Sequence, residues 1–212
     1  MVTSLRWCAD IGMFAYDRSI PKSCVHATPF CKVHCFNDKL YKYYPGMHGK
    51  DILNESYWRD ISGARVRADL AGKRTRQTKR VRLMTRGEGI STHGDINRVR
   101  RIAEGNPDTI FWLPSRAWRD DTLCARIVAE LFPVPNLRVL ASLDPSNSAE
   151  EIESLARDGF STMFFGDDSE LATAGRFKCP KTHSHAKGHC AVCSTRKGCF
   201  SRAPVHVHLK EH

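Results

Sequence analysis

Between residues 81 and 165 the chain alternates regularly between two kinds of hydrophobic pattern. Short runs rich in β-branched and aromatic residues recur at 81–85, 109–113, 137–143 and 161–165, and each predicts a strand. Between them, apolar residues return at the helical period. One helix is predicted from a cap at Ser91 or Thr92 through Ala103, and a second over 119–132 with Leu123, Ile127, Val128 and Leu131 on one face. A third opens at Ser148, with Glu150 and Glu151 in its first turn, and stops at Gly159. Strand and helix succeed each other at roughly 25–30-residue intervals, which predicts parallel βα units. Upstream, Ile52, Leu53, Tyr57, Trp58, Ile61, Val66 and Leu70 predict a helix over 50–71 that Gly63 interrupts. Residues 1–22 carry no clear period. After Asp168 the chain turns irregular until Val205 to Leu209, which predict an edge strand. The expected organisation is an N-terminal segment (1–22), a βα-repeat region (23–168) and a cysteine-rich extension (169–212).

Parallel sheets bind ligands at the carboxyl ends of their strands. The residues there are Arg86-Gly87-Glu88-Gly89, Pro114-Ser115-Arg116, Ser142-Leu143-Asp144 and Gly166-Asp167-Asp168. Arg86, Glu88, Ser115, Arg116 and Asp144 are therefore the candidate site-lining residues.

Seven of the nine cysteines fall in two short windows. Cys24, Cys31 and Cys35 are spaced C-x6-C-x3-C, and Cys179, Cys190, Cys193 and Cys199 are spaced C-x10-C-x2-C-x5-C. Thiolates are soft donors, and closely spaced ones suit zinc or an iron–sulfur cluster. The late window holds enough thiolates for either, with His183, His185 and His189 nearby as alternative zinc ligands. Three early thiolates would leave one iron of a four-iron cluster open; a zinc there would need a fourth ligand such as His26, His34 or Cys8. Cys124 reads as a small core residue.

The net charge of +10 favours an anionic partner, a nucleic acid or a phosphorylated small molecule. Arg65, Arg67, Lys73, Arg74, Arg76, Lys79, Arg80, Arg82 and Arg86 form a basic stretch, and Tyr41, Tyr43, Tyr44 and Trp58 offer stacking faces. No apolar run has the length of a membrane helix and the N-terminus has no signal-peptide core, so a cytoplasmic protein with reduced thiols is expected.

Three features together resemble the gene-product-88 family of phage proteins, itself similar to radical-SAM (S-adenosylmethionine) enzymes. They are the loop with Cys24, Cys31, Cys35 and Phe36, the strand ending in Arg86-Gly87-Glu88-Gly89, and the block Cys179-Pro180 with Cys190, Cys193 and Cys199. The resemblance implies a partial parallel (βα) barrel, TIM-barrel-like, with a cysteine-rich C-terminal extension, in host cytoplasm. It implies a [4Fe-4S] cluster on Cys24, Cys31 and Cys35, S-adenosylmethionine at its open iron with Glu88 on the methionine amine, and an auxiliary cluster on the last four cysteines. The function so implied is that of an iron–sulfur protein, as a radical S-adenosylmethionine-type enzyme or without catalysis. The alternative from another class is a zinc-stabilised nucleic-acid-binding module.

Overall fold

Alternating strand residues bury one face against helices, so each strand predicted from 81 to 165 forms, with its helix beside it. The computed structural model describes residues 4–9, 11–73, 79–183, 190, 193 and 198–210. Its strands are β1 (Arg6–Cys8), β2 (Met13–Tyr16), β3 (Arg80–Leu83), β4 (Ile110–Ser115), β5 (Leu137–Leu143), β6 (Ser161–Gly166), β7 (Phe177–Lys178) and β8 (His206–Lys210). They make one eight-stranded sheet in the order β1-β2-β3-β4-β5-β6-β8-β7. β1 runs antiparallel to β2, and every other neighbouring pair is parallel. From β2 to β6 each crossover steps one strand across in the same direction, as single-handed βα connections do. The fold is thus mixed α/β with a mostly parallel sheet. The sheet is open, and the expected closure toward a barrel is not seen.

Between β2 and β3 lie α1 (Ile20–Ser23), α2 (Pro29–Val33), α3 (Phe36–Tyr43), α4 (Pro45–Arg59) and α5 (Gly63–Ala71). Next come α6 (His93–Glu104), α7 (Asp121–Arg126) continuing into a π-helical turn (Ile127–Leu131), α8 (Ala149–Arg157), α9 (Glu170–Thr173) and α10 (Pro180–His183). Thr92 and Ser148 each close a capping box, with Asp95 and Glu151 reaching back to the cap backbone. The helix predicted over 50–71 is split before Gly63, where Ser62 caps α5. A Cβ on Gly63 would stand 2.6 Å from the Arg101 carbonyl oxygen and 2.9 Å from Gly105 Cα, so α5 crosses α6 where only glycine fits.

The two faces of the sheet are covered differently. Val81, Leu83, Phe111, Leu113, Val139, Leu143 and Phe164 share one core with Trp58, Val66, Ile96, Val99, Leu123 and Leu155 of the helices. On the opposite face Trp112, Leu140 and Met163 pack with Cys199, Phe200 and Leu209. Cys199 and Phe200 of the late cysteine block therefore pack on the face opposite the main helical core. Two expectations are corrected. Residues 205–209 supply no edge strand: β8 lies between β6 and β7, and β7 is the edge. The segment without a period contains β1 and β2, three and four residues long, too short for alternation to register. Among the described residues no helix is long and apolar enough to cross a membrane.

The carboxyl ends of β2 and β3 are pinned by a buried ionic cluster. Asp17 accepts from the Thr85 and Arg86 backbone N–H groups at 3.1 and 2.9 Å, and pairs with Arg6 and with Arg86. Arg86 forks onto Asp51 of α4, Nε to Oδ2 at 2.6 Å and Nη2 to Oδ1 at 2.8 Å. Burial alone would raise the Asp17 carboxyl, but Arg6, Arg86 and Thr85 hold it below the ordinary value. Burial likewise opposes Asp144, and Ser146, Thr28 and Arg116 hold it low. A depressed carboxyl contributes stability that is complete above its unfolded pKa, about 4, and is lost as pH falls through the lower folded value. The melting temperature is therefore expected to stay level from neutrality to about pH 5 and to drop steeply below about pH 4. Asp17→Asn, which removes the carboxylate that Arg6 and Arg86 share while leaving Arg86 on Asp51, is expected to cost about 2 kcal/mol in urea unfolding at pH 7.

Candidate metal and cofactor site

The first cysteine loop is built from three short helices that follow β2 directly. Cys24 caps the end of α1, Cys31 lies inside α2, and Cys35 is the N-cap of α3. The chain turns this tightly because Thr28 starts α2, its hydroxyl accepting from the Cys31 N–H at 2.9 Å, with Pro29 in the first helical position. The same hydroxyl donates to Asp144 Oδ2 at 2.6 Å, so the loop reaches from the end of β2 to the end of β5. Phe30 carries it on to β6, its ring 6.3 Å from that of Phe165.

The three thiols and Glu88 converge closely enough for their charges to act on one another. Burial pushes the Cys24 thiol up to about 12, with Glu88, Cys31 and Cys35 adding to the rise. Burial raises Cys35 as well, opposed by the backbone N–H groups of Asp38 and Asn37. A thiol held as high as that of Cys24 stays protonated unless a cation replaces its proton.

Glu88 is positioned by the backbone around it. Gly87 adopts φ +76°, and a Cβ there would stand 2.7 Å from both the Arg18 carbonyl oxygen and Ser23 Oγ. Only glycine allows this approach, which lets the Glu88 N–H donate to Ser23 Oγ at 2.8 Å. The Glu88 carboxylate is buried, accepting from the Arg116 N–H at 2.8 Å and the Ile90 N–H at 3.1 Å. Burial raises its pKa, and the hydrogen bonds from Arg116, Ile90 and Ser115 offset part of the rise. Asp17, Asp51, Asp95 and Asp144 each hold an arginine in an ion pair. Among the described residues no ion pair to Glu88 is found, although it is buried beside them.

The other strand-end candidates are brought together but are already engaged. Arg86 is committed to Asp51 and Asp17, as described above. Arg116 Nη1 bridges Asp144 Oδ2 and the Ser142 carbonyl, both at 3.1 Å. The Ser115 hydroxyl accepts from the Ala117 N–H at 3.1 Å. Ser115 and Arg116 hold the Glu88 carboxylate, Arg116 also holds Asp144, and Arg86 is turned to Asp17 and Asp51. Sequence reasoning missed Ser23, Thr28, Asp17 and Asp51. Their roles depend on loops meeting in space, and no local spacing signals that.

The late cysteines also converge. Burial pushes Cys199 up to about 12, reinforced by Cys190, Cys179 and Cys193, and Cys190 rises for the same first reason. The Cys193 N–H donates to the Cys190 carbonyl at 3.3 Å, closing the C-x2-C turn. Arg82 faces this group from β3, its guanidinium 4.5 Å from the Trp112 ring centroid and acted on by Cys190 and Cys199. His185 and His189 lie outside the described residues.

The basic stretch does not form one surface. Arg82 and Arg86 turn inward, Arg65 lies over the Tyr57 ring, and Arg67 donates to the Gly105 carbonyl. Arg74 and Arg76 lie outside the described residues. Of the expected stacking aromatics, Trp58 is buried with its indole N–H on Asp95, and the Tyr41 hydroxyl donates to Asp51. Tyr43 and Tyr44 are exposed.

Comparison with known proteins gave no match among curated proteins or among solved structures. The family model described as gene product 88 matches residues 8–202, a span that takes in β2, both cysteine groups and Glu88. The chain belongs to the gene product 88 family.

Proposed function

We propose that this protein binds two iron–sulfur clusters in a radical-SAM-like architecture. Cys24, Cys31 and Cys35 hold one [4Fe-4S] cluster, and Cys179, Cys190, Cys193 and Cys199 hold the other. The observation that carries the proposal is the meeting of three thiols with the buried Glu88 carboxylate, which has no ion pair among the described residues, at the carboxyl ends of parallel strands. The donor chemistry fits. Three thiolates leave one metal position for an exogenous ligand, and Glu88 is a buried anion suited to an ammonium group.

On this reading S-adenosylmethionine binds beside the first site, its amino group on Glu88, and a bound cluster supplies the electron for reductive cleavage of the sulfonium. Ser23 and Gly87 fix the Glu88 backbone, Thr28 fixes the cysteine loop, and Arg116 with Asp144 shapes the rim. The excess of positive charge favours an anionic, nucleotide-like small-molecule substrate.

Anaerobically purified, reconstituted protein is expected to be brown and to carry about eight irons per chain. Cys31→Ser and Cys193→Ser are each expected to retain about four. Colourless protein containing zinc would overturn the proposal. Glu88→Gln is expected to keep its iron while binding S-adenosylmethionine about tenfold or more weakly in equilibrium dialysis, the loss of one charge-assisted contact. Unchanged affinity would remove Glu88 from the amine site.

A further inference from the structure

A second kind of donor group lies away from both sets of cysteines. Asp168, His183 and His208 come from three elements. Asp168 stands two residues beyond β6, His183 ends α10, and His208 sits in β8 in register with Phe164 of β6. The backbone holds them together: the Cys179 N–H at the start of α10 donates to the His208 carbonyl at 2.9 Å, and the Lys210 N–H donates to Thr182 Oγ1 at 3.1 Å.

The spacing of the donors is informative. His183 Nε2 and His208 Nδ1 face each other at 2.8 Å. Asp168 Oδ1 lies 3.8 Å from His183 Nδ1 and 4.0 Å from His208 Nδ1. The carboxylate distances are too long for hydrogen bonds and a few tenths of an ångström beyond the roughly 3.4 Å between donors of a tetrahedral ion, so small side-chain rotations bring the three onto one ion. The other oxygen of Asp168 accepts from Lys210 Nζ at 2.5 Å, which leaves Oδ1 toward the imidazoles.

The His208 side chain is completely buried, so its ring is held in place with Nδ1 facing the other two donors. The donor set of two imidazoles and one carboxylate suits a divalent first-row transition metal.

We infer that Asp168 Oδ1, His183 and His208 Nδ1 bind one divalent transition-metal ion, of which zinc is the natural occupant. Three protein donors leave a position for water. Because α10 begins directly after Cys179, the ion ties the first of the late cysteines to the β6–β8 pair.

The test uses the full chain with its cysteine sites filled by iron and sulfide under anaerobic conditions, titrated with Co²⁺. The expected result is a single Co²⁺ with a nitrogen–oxygen ligand-field spectrum lacking thiolate-to-cobalt charge transfer. His183→Ala and Asp168→Asn, both outside the deepest core, are expected to weaken this binding by more than about tenfold, while Cys193→Ser retains it. No Co²⁺ with a nitrogen–oxygen spectrum, or an affinity unchanged in both variants, would overturn the assignment. Cobalt taken up by unfilled cysteine sites shows separately, as thiolate charge transfer lost in Cys193→Ser, so failure of the iron–sulfur proposal does not mimic failure here.

Discussion

The ion-pair cluster of Asp17, Arg86 and Asp51 is the constraint on which the candidate site depends. Asp17 terminates β2, Arg86 follows β3, and Asp51 comes from α4, so one guanidinium joins three segments. The cysteine loop leaves β2 just after Asp17 and returns through α4, and both of its ends are anchored by this cluster. The cluster is buried, where losing one partner costs far more than a surface pair contributes. It also aligns the start of the Arg86-Gly87-Glu88 turn, which then needs glycine at φ +76° to bring Glu88 against Ser23.

The two cysteine groups occupy physically different settings. The early one spans the carboxyl ends of the strands, held across them by the Thr28 hydroxyl on Asp144 and by Phe30 on Phe165. Of the late one, Cys199 lies on the opposite face of the sheet, where it and Phe200 cover Trp112, Leu140 and Met163. Arg82 and Arg138 reach this layer from β3 and β5: Arg82 beside the thiols, Arg138 with Nε on the Phe200 carbonyl at 3.4 Å. In a sheet whose other face is packed with helices, this block does the work of a second covering layer. A metal bound there would contribute to folding as well as to chemistry.

Part of the basic stretch is used within the fold rather than at its surface. The basic residues between 65 and 86 suggest a phosphate-binding face when read along the chain. In three dimensions Arg82 and Arg86 compensate buried groups, Arg65 covers an aromatic ring, and Arg67 satisfies a helix-end carbonyl. A run of like charges in sequence says nothing about shared direction, because the helix α5 and the strand β3 that carry it turn successive residues to different sides.

What the sequence by itself determined is the part governed by local periodicity and local chemistry. The strands and helices from residue 81 to 166 follow from alternation, caps and stops, because each burial pattern repeats over enough residues to identify its element. The thiol groups are equally legible, because cysteines close in sequence are close in space. The tertiary structure alone decided the rest. It showed that β1 and β2 join the sheet and that β8 is interior. It separated Arg86 and Arg116, held in ion pairs, from Glu88, which takes backbone N–H groups. It brought Asp168, His183 and His208 together across 40 residues of chain. Each of these depends on which loops meet and which partner satisfies which buried group, and those are properties of packing that no window along the chain contains.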